Sequence, residues 1–264
     1  MLNNVEINKL NFKSISHLCE KIIEGITGKI YHAQYLVNMA KLIQPYVSDA
    51  LILKNKVDLK HHAINLDDII SKFQQSIKCI IELIELDIET VIKKDPASKD
   101  HVEILLCYPG IKAIMLYRIA HILSKLDIPY LPRAISEYAH SLTGIDIHPE
   151  AVIGKQFFID HGTGIVVGQT CIIGDNVAIY QGVTLGTKAF KRKKNADVIT
   201  NYKRHPSIED NVTIYANATI LGNIKIGKNS IIGSNVTITE AIPANSKVTQ
   251  FKYKQQLFSE GAGI

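Results

Sequence analysis

The stretch SIEDNVTIYANATILGNIKIGKNSIIGSNVTI, Ser207 to Ile238, decides the fold because it repeats every six residues. The repeating anchors are Ile208, Ile214, Ile220, Ile226, Ile232 and Ile238. Four positions after each anchor stands an aliphatic or small residue, as at Val212 and Ala218. A constant period of six is typical of a hexapeptide β-helix, whose short strands stack coil upon coil. A β-sandwich, the alternative, would not hold that phase.

The same period extends upstream, with one irregularity. Two runs precede the first: Ile147, Ile153, Ile159 and Ile165, and then Val167, Ile173, Ile179 and Leu185. The phase slips by two residues within FIDHGTGIVVGQ, Phe158 to Gln169, where Asp160 and His161 stand beside glycines. Departures from a local rule are expected at functional sites, so the slip predicts a widened corner that aims His161 into a cleft. A glycine follows many anchors, and we expect these small residues to let the backbone turn.

A segment without anchors interrupts the repeats. TKAFKRKKNADVITNYKRHPS, Thr187 to Ser207, is polar and basic, which predicts an extruded loop at about 187–207. Loops on regular scaffolds often carry function. The run of cations from Lys188 to Lys194 is either a solvated face or a contact for a phosphate-bearing ligand.

The first half of the chain has a helical period instead. In QQSIKCIIELIELDIETVIKKDPAS, Gln74 to Ser98, apolar residues recur at helical spacing, and Asp95 before Pro96 marks the predicted helix end. YPGIKAIMLYRIAHILSKL and LPRAISEYAHSLTG predict two more helices, the second closed by Gly144. We therefore expect an α+β protein: an all-helical domain over 1–144, a parallel β-helix over 145–245 and a flexible tail over 246–264.

Composition excludes several classes. The net charge of +5 is too weak to argue for nucleic acid, and no run of 18 apolar residues suggests a membrane span. The four cysteines form no CxxC pair, which argues against a zinc knuckle, and Cys171 stands at a repeat position typical of a buried, inert thiol. We expect a cytoplasmic protein with reduced thiols.

Five motifs together resemble the bacterial and plant serine O-acetyltransferase family. They are KKDP (Lys93–Pro96), DIHPEAVIG (Asp146–Gly154), DHGTGIVVGQT (Asp160–Thr170), VTLG (Val183–Gly186) and RHPSIEDNVTIYANATILGNIKIG (Arg204–Gly227). The resemblance implies a left-handed β-helix that trimerises, helical domains that pair the trimers into hexamers, and active sites between neighbouring β-helices. It implies transfer of acetyl from acetyl-CoA to L-serine, with feedback inhibition by L-cysteine.

The resemblance also implies roles for individual residues. His161 suits the general base, because a hydroxyl needs a proton acceptor that titrates near neutral pH. Asp160 is not expected to orient His161, because adjacent side chains on extended backbone point to opposite faces. The resemblance assigns that orienting role to Asp146. Asp95 and Asp160 are expected to pair with the serine ammonium group, and Arg204 and His205, as cations or donors, with its carboxylate. His148 has no assigned chemistry.

Contacts to acetyl-CoA are expected at Gly182, Gly186, Thr187, Ala216, Ala218 and Lys225. The long basic segment after VTLG departs from the short glycine-rich loop of many family members, so contacts there cannot be copied. The resemblance further implies that the terminal Ile264 binds O-acetylserine sulfhydrylase.

Three alternatives remain open. The same scaffold could acetylate a sugar or another hydroxyl or amine. A zinc carbonic anhydrase would need several converging histidines, and the repeats contain only His148, His161 and His205; we expect no metal. A purely structural scaffold would leave the polar constellation unexplained.

Overall fold

The computed structural model describes residues 10–29, 35–58, 65–189, 199 and 202–250. Six helices fill the N-terminal part of this range. They are α1 (Phe12–Lys29), α2 (Tyr35–Asp58), α3 (Leu66–Lys94), α4 (His101–Cys107), α5 (Pro109–Lys125) and α6 (Leu131–Thr143). The three helices that the sequence predicts are confirmed as α3, α5 and α6.

Helix α3 shows why these segments are helical. Its buried apolar residues recur three or four positions apart and form one stripe that packs into the helical core. The Asn65 side chain caps its start by accepting the Asp68 N–H, and Asp95 ends it in extended conformation. At the end of α6, Gly144 takes φ 70°, the left-handed conformation that commonly closes a helix.

Within the described residues, fourteen short strands follow the helices. They are β1 (Asp146–Ile147), β2 (Val152–Ile153), β3 (Phe158–Asp160), β4 (Val166–Val167), β5 (Ile172–Ile173), β6 (Ala178–Tyr180), β7 (Thr184–Gly186), β8 (Ser207–Ile208), β9 (Thr213–Ile214), β10 (Thr219–Leu221), β11 (Lys225–Ile226), β12 (Ile231–Ile232), β13 (Thr237–Ile238) and β14 (Lys247–Val248).

These strands form three parallel sheets, the faces of a triangular prism. Face A contains β1, β4, β7, β10 and β13; face B contains β2, β5, β8 and β11; face C contains β3, β6, β9, β12 and β14. Coils 1 to 5 begin at β1, β4, β7, β10 and β13, and all of the pairings are parallel. Anchors pair with anchors, as Ile147 does with Val167, and their side chains fill the interior. The left-handed parallel β-helix is confirmed.

The β-helix continues past the predicted end at 245. Ile242 forms a bridge to Ile226, and β14 pairs with β12 so that Val248 lies beside Ile232. The anchor phase is broken after Ile238, yet the chain completes most of a fifth coil. The described β-helix therefore extends to Val248, three residues beyond the predicted end.

Asparagines, more than glycines, turn the corners. The corner between faces B and C places Gln156, Asn176, Asn211, Asn229 and Asn245 at φ between 56° and 59°. Their side chains form a ladder along the prism, with the amides of Asn176, Asn211 and Asn229 each donating to the next asparagine. Short amide side chains tolerate this left-handed conformation.

The glycines that follow the anchors have a different role from the predicted one. They are not left-handed; a Cβ at Gly154 would lie 2.4 Å from an Asp175 carboxylate oxygen and 2.7 Å from Gly174. They therefore allow neighbouring coils to approach closely.

The helical domain covers the first coil. N–H groups of each coil donate to carbonyls of the next coil, as Val152 does to Cys171. Coil 1 has no preceding coil, so several of its carbonyls lack donors of this kind. Helix α5 supplies donors to two of them: Tyr117 Oη to the Ala151 oxygen at 2.6 Å and Arg118 Nη2 to the Gly154 oxygen at 3.0 Å. His121 Nδ1 lies 2.8 Å from a third, the Pro149 oxygen.

A buried ion pair completes this contact. Arg118 Nη2 lies 2.7 Å from Asp87 Oδ2, and Asp87 Oδ1 accepts the Phe157 N–H at 2.9 Å. Burial raises the pKa of Asp87 to about 6, while Arg118 and the backbone donor oppose that shift. In the described part of the chain, each helix is too short or too polar to cross a bilayer.

Candidate active site

The corner between β3 and β4 is wider than the corners stacked above it. Eight positions separate the anchors Ile159 and Val167, whereas six separate Ile179 and Leu185 in the next coil. Asp160 is in register with Tyr180, and Thr163 accepts the Gly182 N–H just as Gln181 accepts the Asn217 N–H, both at 2.9 Å. The two additional residues are therefore His161 and Gly162.

Both additional residues are left-handed, with φ 55° at His161 and 93° at Gly162. A Cβ on Gly162 would lie 2.5 Å from Ile145 Cδ1 and 2.9 Å from Ile159 Cγ2, so only glycine fits there. The backbone folds inward over Ile145, and the His161 side chain is left 71% exposed. The slip in the repeat thus places the histidine outside the coil, and its position in a cleft stays a prediction.

The nearest carboxylate to His161 differs from the expected one. Asp160 Oδ1 lies 3.9 Å from His161 Nε2. The argument against Asp160 assumed extended backbone, and it fails because His161 is left-handed. Asp146 lies beside the same corner, where its N–H donates to the Ile165 oxygen at 2.9 Å, but its carboxylate forms no hydrogen bond or ion pair with His161 within the described residues. Its orienting role stays a prediction.

Asp95 reaches this corner from the helical domain. It ends α3, and both of its carboxylate oxygens accept hydrogen bonds: Oδ1 from the Ala97 N–H at 2.8 Å and Oδ2 from Tyr108 Oη at 2.7 Å. The hydrogen bond to Asp95 is the main cause that raises the pKa of Tyr108 to about 12, and the Asp160 charge adds to it. The structure therefore brings Asp95 and Asp160 to one place, and sequence reasoning missed Tyr108.

Aromatic rings extend upward from this acidic pair. Tyr180, one coil above Asp160, packs edge-on against Phe158 and stacks on Tyr215 with ring centroids 5.0 Å apart. Burial is the main cause that raises the pKa of Tyr180, with the Asp160 charge second. The site therefore has one acidic end and one aromatic wall.

Arg204 and His205 lie at another corner of the prism. Their N–H groups donate to Thr170 Oγ1 at 3.0 Å and 3.1 Å, and Thr170 lies between β4 and β5, at the corner of faces A and B. Arg204 Nη2 also donates to Gln169 Oε1. Within one chain, face A separates this corner from the one that carries Asp160 and His161.

The sequence left open whether His205 is a cation or a neutral hydrogen-bond donor. The structure favours the neutral donor. The residue is 7% exposed, and its Nδ1 accepts the Thr170 N–H at 3.1 Å. Burial, then Arg204 and Lys203, lower its pKa to about 4, so the ring is neutral at pH 7. A neutral ring that accepts through Nδ1 carries its proton on Nε2.

The six residues expected to contact acetyl-CoA are not brought together. Gly182 and Ala216 lie at the corner of faces C and A, Gly186 and Thr187 at the start of the loop, and Lys225 on face B, where it pairs with Glu209 at 2.9 Å. Ala218 is fully buried and both of its backbone polar groups are hydrogen-bonded, so it cannot contact a ligand. The expectation for Ala218 is wrong, because its repeat position faces the core.

A groove of about 330 Å³ lies beside residues 187–189 and 202–204. It is lined by Thr187, Lys188, Ala189, Tyr202, Lys203, Arg204, Leu221, Gly222, Asn223, Ile224 and Thr239. Burial lowers the pKa of Lys203, whose Nζ donates to the Pro206 oxygen at 3.1 Å. The groove combines cations with apolar side chains and lies at the same corner as Arg204.

Two other sequence expectations can be placed. Cys171 is 1% exposed, and burial raises the pKa of its thiol to about 12, so it is inert as predicted. Among the described residues, no three histidine, cysteine or acidic side chains cluster as metal ligands would. Ile264 lies outside the described residues.

Family models match three parts of the chain. The model described as serine acetyltransferase, N-terminal, matches residues 31–115. The models described as hexapeptide repeat of succinyl-transferase and bacterial transferase hexapeptide (six repeats) match 162–190 and 205–240. The matches thus cover part of the helical domain and repeats on both sides of residues 191–204.

Curated relatives and solved structures agree with those models. Serine acetyltransferases of Helicobacter pylori and Synechococcus elongatus are 42% and 48% identical over 63% and 78% of this chain. The chain covers 92% of the former but 64% of the latter, and it spans about half to two thirds of the length of several other such relatives. The structure of Entamoeba histolytica serine acetyltransferase isoform 3 in complex with cysteine is 33% identical, with a TM-score of 0.75 over 92% of this chain and 84% of that one. That of the Neisseria gonorrhoeae enzyme in complex with serine is 27% identical, with a TM-score of 0.61 over 91% of this chain and 96% of that one.

Proposed function

Because this chain belongs to the serine acetyltransferase family, we propose that it transfers acetyl from acetyl-CoA to the hydroxyl of L-serine, the first step of cysteine biosynthesis. The products would be O-acetylserine and CoA. The observation that carries the proposal is the insertion of His161 and Gly162 into an otherwise regular corner, beside Asp160 and Asp95. A structural β-helix has no use for an exposed left-handed histidine there.

His161 would act as the general base. It would take the proton from the serine hydroxyl as the oxygen attacks the thioester carbon, and general bases contribute about 10²–10⁴-fold to such steps. The thioester carbon–sulfur bond then breaks with CoA thiolate as the leaving group, and the proton held by His161 passes to that sulfur, which gives O-acetylserine and CoA. Asp160, 3.9 Å away in this chain, stabilises positive charge on the imidazole, and Asp146 remains the proposed orienting group.

Serine would be held by charge at both ends. Asp95 and Asp160 offer carboxylate oxygens to its ammonium group, while the Arg204 guanidinium and the His205 Nε2–H suit its carboxylate. These two sets lie at different corners of one prism, with the whole width of face A between them. We infer that each site forms between the corner of faces C and A in one copy and the corner of faces A and B in its neighbour.

That arrangement requires an oligomer. A closed ring of copies that meet corner to corner satisfies every site at once, which favours a trimer, and pairing through the helical domains would give a dimer of trimers. Sedimentation equilibrium of the purified chain would test the state. A monomer with full activity would contradict the shared site.

The groove beside the loop fits part of a CoA molecule. Lys188 and Lys203 suit phosphate oxygens, and Leu221 and Ile224 suit the pantetheine arm. Thr187 is the member of the expected set that lines it, and Gly186 is adjacent. The prediction for Gly182, Ala216 and Lys225 would require contacts on other faces or from another copy.

A serine-dependent release of CoA thiol by the pure protein tests the function directly. Activity of the same size with a sugar panel and none with serine would favour the alternative, an acetyltransferase for a different hydroxyl or amine. That alternative keeps His161 but has no need of Asp95, Asp160 and Arg204 to hold an amino acid. Their convergence on one corner is the reason to favour serine.

L-cysteine is the proposed feedback inhibitor. It differs from serine by one atom, so a clamp for the ammonium and carboxylate groups accepts both molecules. The Entamoeba histolytica relatives have been solved with cysteine bound, which supports the proposal. Competitive inhibition against serine is expected, and no inhibition at millimolar cysteine would contradict it.

Ile264 is the proposed contact for O-acetylserine sulfhydrylase. Ile264 follows Gly261 and Gly263, and capture of a C-terminal residue through its carboxylate is a known recognition mode. Deleting Ile264 should abolish binding in calorimetry and leave serine acetylation nearly unchanged. Equal affinity with and without Ile264 would contradict the proposed contact.

We also propose a cytoplasmic location, which is consistent with the free thiols of Cys79 and Cys107.

A further inference from the structure

Tyr108 contacts a residue of the proposed substrate clamp. Its hydroxyl donates to Asp95 Oδ2 at 2.7 Å, and the Ala97 N–H holds the other carboxylate oxygen. Each oxygen of a carboxylate has two acceptor positions, so both keep one for an incoming ammonium group. The Asp95 carboxylate is thus fixed in orientation without being saturated.

The backbone of Tyr108 is fixed from both sides. Its N–H donates to the Ile104 oxygen at 3.1 Å and ends α4, while its oxygen accepts the Lys112 N–H at 3.2 Å and begins α5. Two residues on, Gly110 presses against coil 1: a Cβ there would lie 2.8 Å from the Ile159 oxygen, directly before Asp160. The tyrosine is therefore held in one frame with both carboxylates.

The Tyr108 hydroxyl lies near two negatively charged carboxylates. The charges of Asp95 and Asp160 both help to raise the pKa of Tyr108. Two carboxylates that share one small site also repel each other. A phenol with a raised pKa stays protonated, so it remains a donor at any working pH. It offsets part of the negative charge before the substrate arrives.

We propose that Tyr108 is a positioning residue, which holds the Asp95 carboxylate in the orientation that receives the ammonium group of the amino-acid substrate. The inference rests on the proposed function, since it deepens the same site. Tyr108 neither transfers a proton nor contacts the acyl group. Its loss should weaken amino-acid binding and leave acetyl-CoA binding alone.

Tyr108→Phe in the full chain is the test, because it removes the hydroxyl and keeps the ring. Calorimetry without acetyl-CoA should show serine binding about 10-fold weaker, as expected for a hydrogen bond to a charged group. Steady-state kinetics should show the KM for serine raised alike, with the KM for acetyl-CoA within about twofold and kcat little changed. Serine binding equal to that of the unmodified protein would overturn the proposal.

A double-mutant cycle separates positioning from a general loss of structure. Tyr108→Phe should weaken serine binding much less in the Asp95→Asn background, whereas effects that multiply would overturn the proposal. Tyr46→Phe is the matched control; its ring packs against the hydrophobic core of the helical domain, and its hydroxyl forms no hydrogen bond within the described residues. It should bind serine normally, and a loss equal to that of Tyr108→Phe would count against the proposal.

A spectroscopic readout does not depend on serine at all. The difference in phenol titration between the unmodified protein and Tyr108→Phe should show a tyrosine that ionises near pH 12 instead of its ordinary 10.0. A difference that titrates near 10 would show that the hydroxyl does not donate to Asp95 and would overturn the proposal. If the unmodified protein neither binds nor acetylates serine, the proposed function fails, and this titration still reports on the contact.

Discussion

Two corners of the same β-helix differ in regularity, and the difference separates folding from function. The corner of faces B and C repeats one solution five times, with a left-handed residue and an asparagine ladder across coils 2 to 5. The corner of faces C and A uses glycine in coils 1 and 2 and asparagine in coils 3 and 4, and it admits His161 and Gly162. The repeated corner links successive coils through side-chain hydrogen bonds, and the proposed chemistry lies at the interrupted one.

His161→Ala is expected to have the largest effect on activity. Turnover should fall by about 10²–10⁴-fold, because general-base catalysis is lost. Thermal stability should hardly change, since the side chain is 71% exposed. Steady-state assays and a melting curve measure the two quantities. An unchanged kcat in a folded variant would remove His161 from the mechanism.

Asp146→Asn should retain more activity than His161→Ala, because an orienting carboxylate does not transfer the proton. The two variants compared in one assay decide this. An equal or greater loss for Asp146→Asn would give Asp146 a more direct part in the reaction.

Gly162→Ala tests whether the interruption itself is built for one residue type. The added methyl meets Ile145 at 2.5 Å with φ 93°, so we expect a loss of roughly 1–3 kcal/mol in unfolding free energy and lower activity as His161 is displaced. Gly25→Ala is the control, since its Cβ would meet only Met39 Cε at 4.0 Å. Equal stability of the two variants would show that the wide corner is not tightly specified.

Asn211→Ala tests the regular corner. It removes the amide that accepts from Asn176 and donates to Asn229, and it places alanine at φ 59°, so we expect a loss of about 1–2 kcal/mol. Asn211→Gly keeps the conformation and should recover part of that loss. Serine acetylation in the folded protein should be unchanged, and a loss of activity comparable with that of Gly162→Ala would break the distinction between the corners.

The lowered pKa of His205 predicts a smaller effect, a pH dependence of the folding stability. Its folded pKa is lowered from 6.5 to about 4, so the unfolded chain binds more protons in this range, and stability falls as the pH drops through it. Melting curves from pH 7 to 5 should be flatter for His205→Asn, which keeps an acceptor near the Thr170 N–H. Parallel curves for the two proteins would contradict a buried neutral ring.

Much of this molecule could be predicted from the sequence, because its order is periodic. A six-residue period specifies coil, core and register, and its slip marks Asp160 and His161. The asparagine ladder could have been found too, since Asn176, Asn211, Asn229 and Asn245 each stand three positions after Ile173, Ile208, Ile226 or Ile242.

Other features carry no such signal. Tyr108 matters because two helix ends and coil 1 meet around it, and no pattern within the sequence encodes that contact. The burial of His205 depends on how the chain returns from the loop and packs against Gly168 and Thr170. Asp160 was misjudged as a neighbour of His161 because one left-handed residue changes the direction of a side chain.

The side chains of α5 that serve coil 1 also bear on how the protein avoids aggregation. An uncovered end of a β-helix presents a row of carbonyls to any passing strand, as the edge of a sheet does. Tyr117 and Arg118 occupy two of these carbonyls, and the buried Arg118–Asp87 pair anchors the cover in place. The helices therefore cap this end of the β-helix and prevent a second β-helix from stacking on it. A fragment beginning at Asp146 would lose that cap.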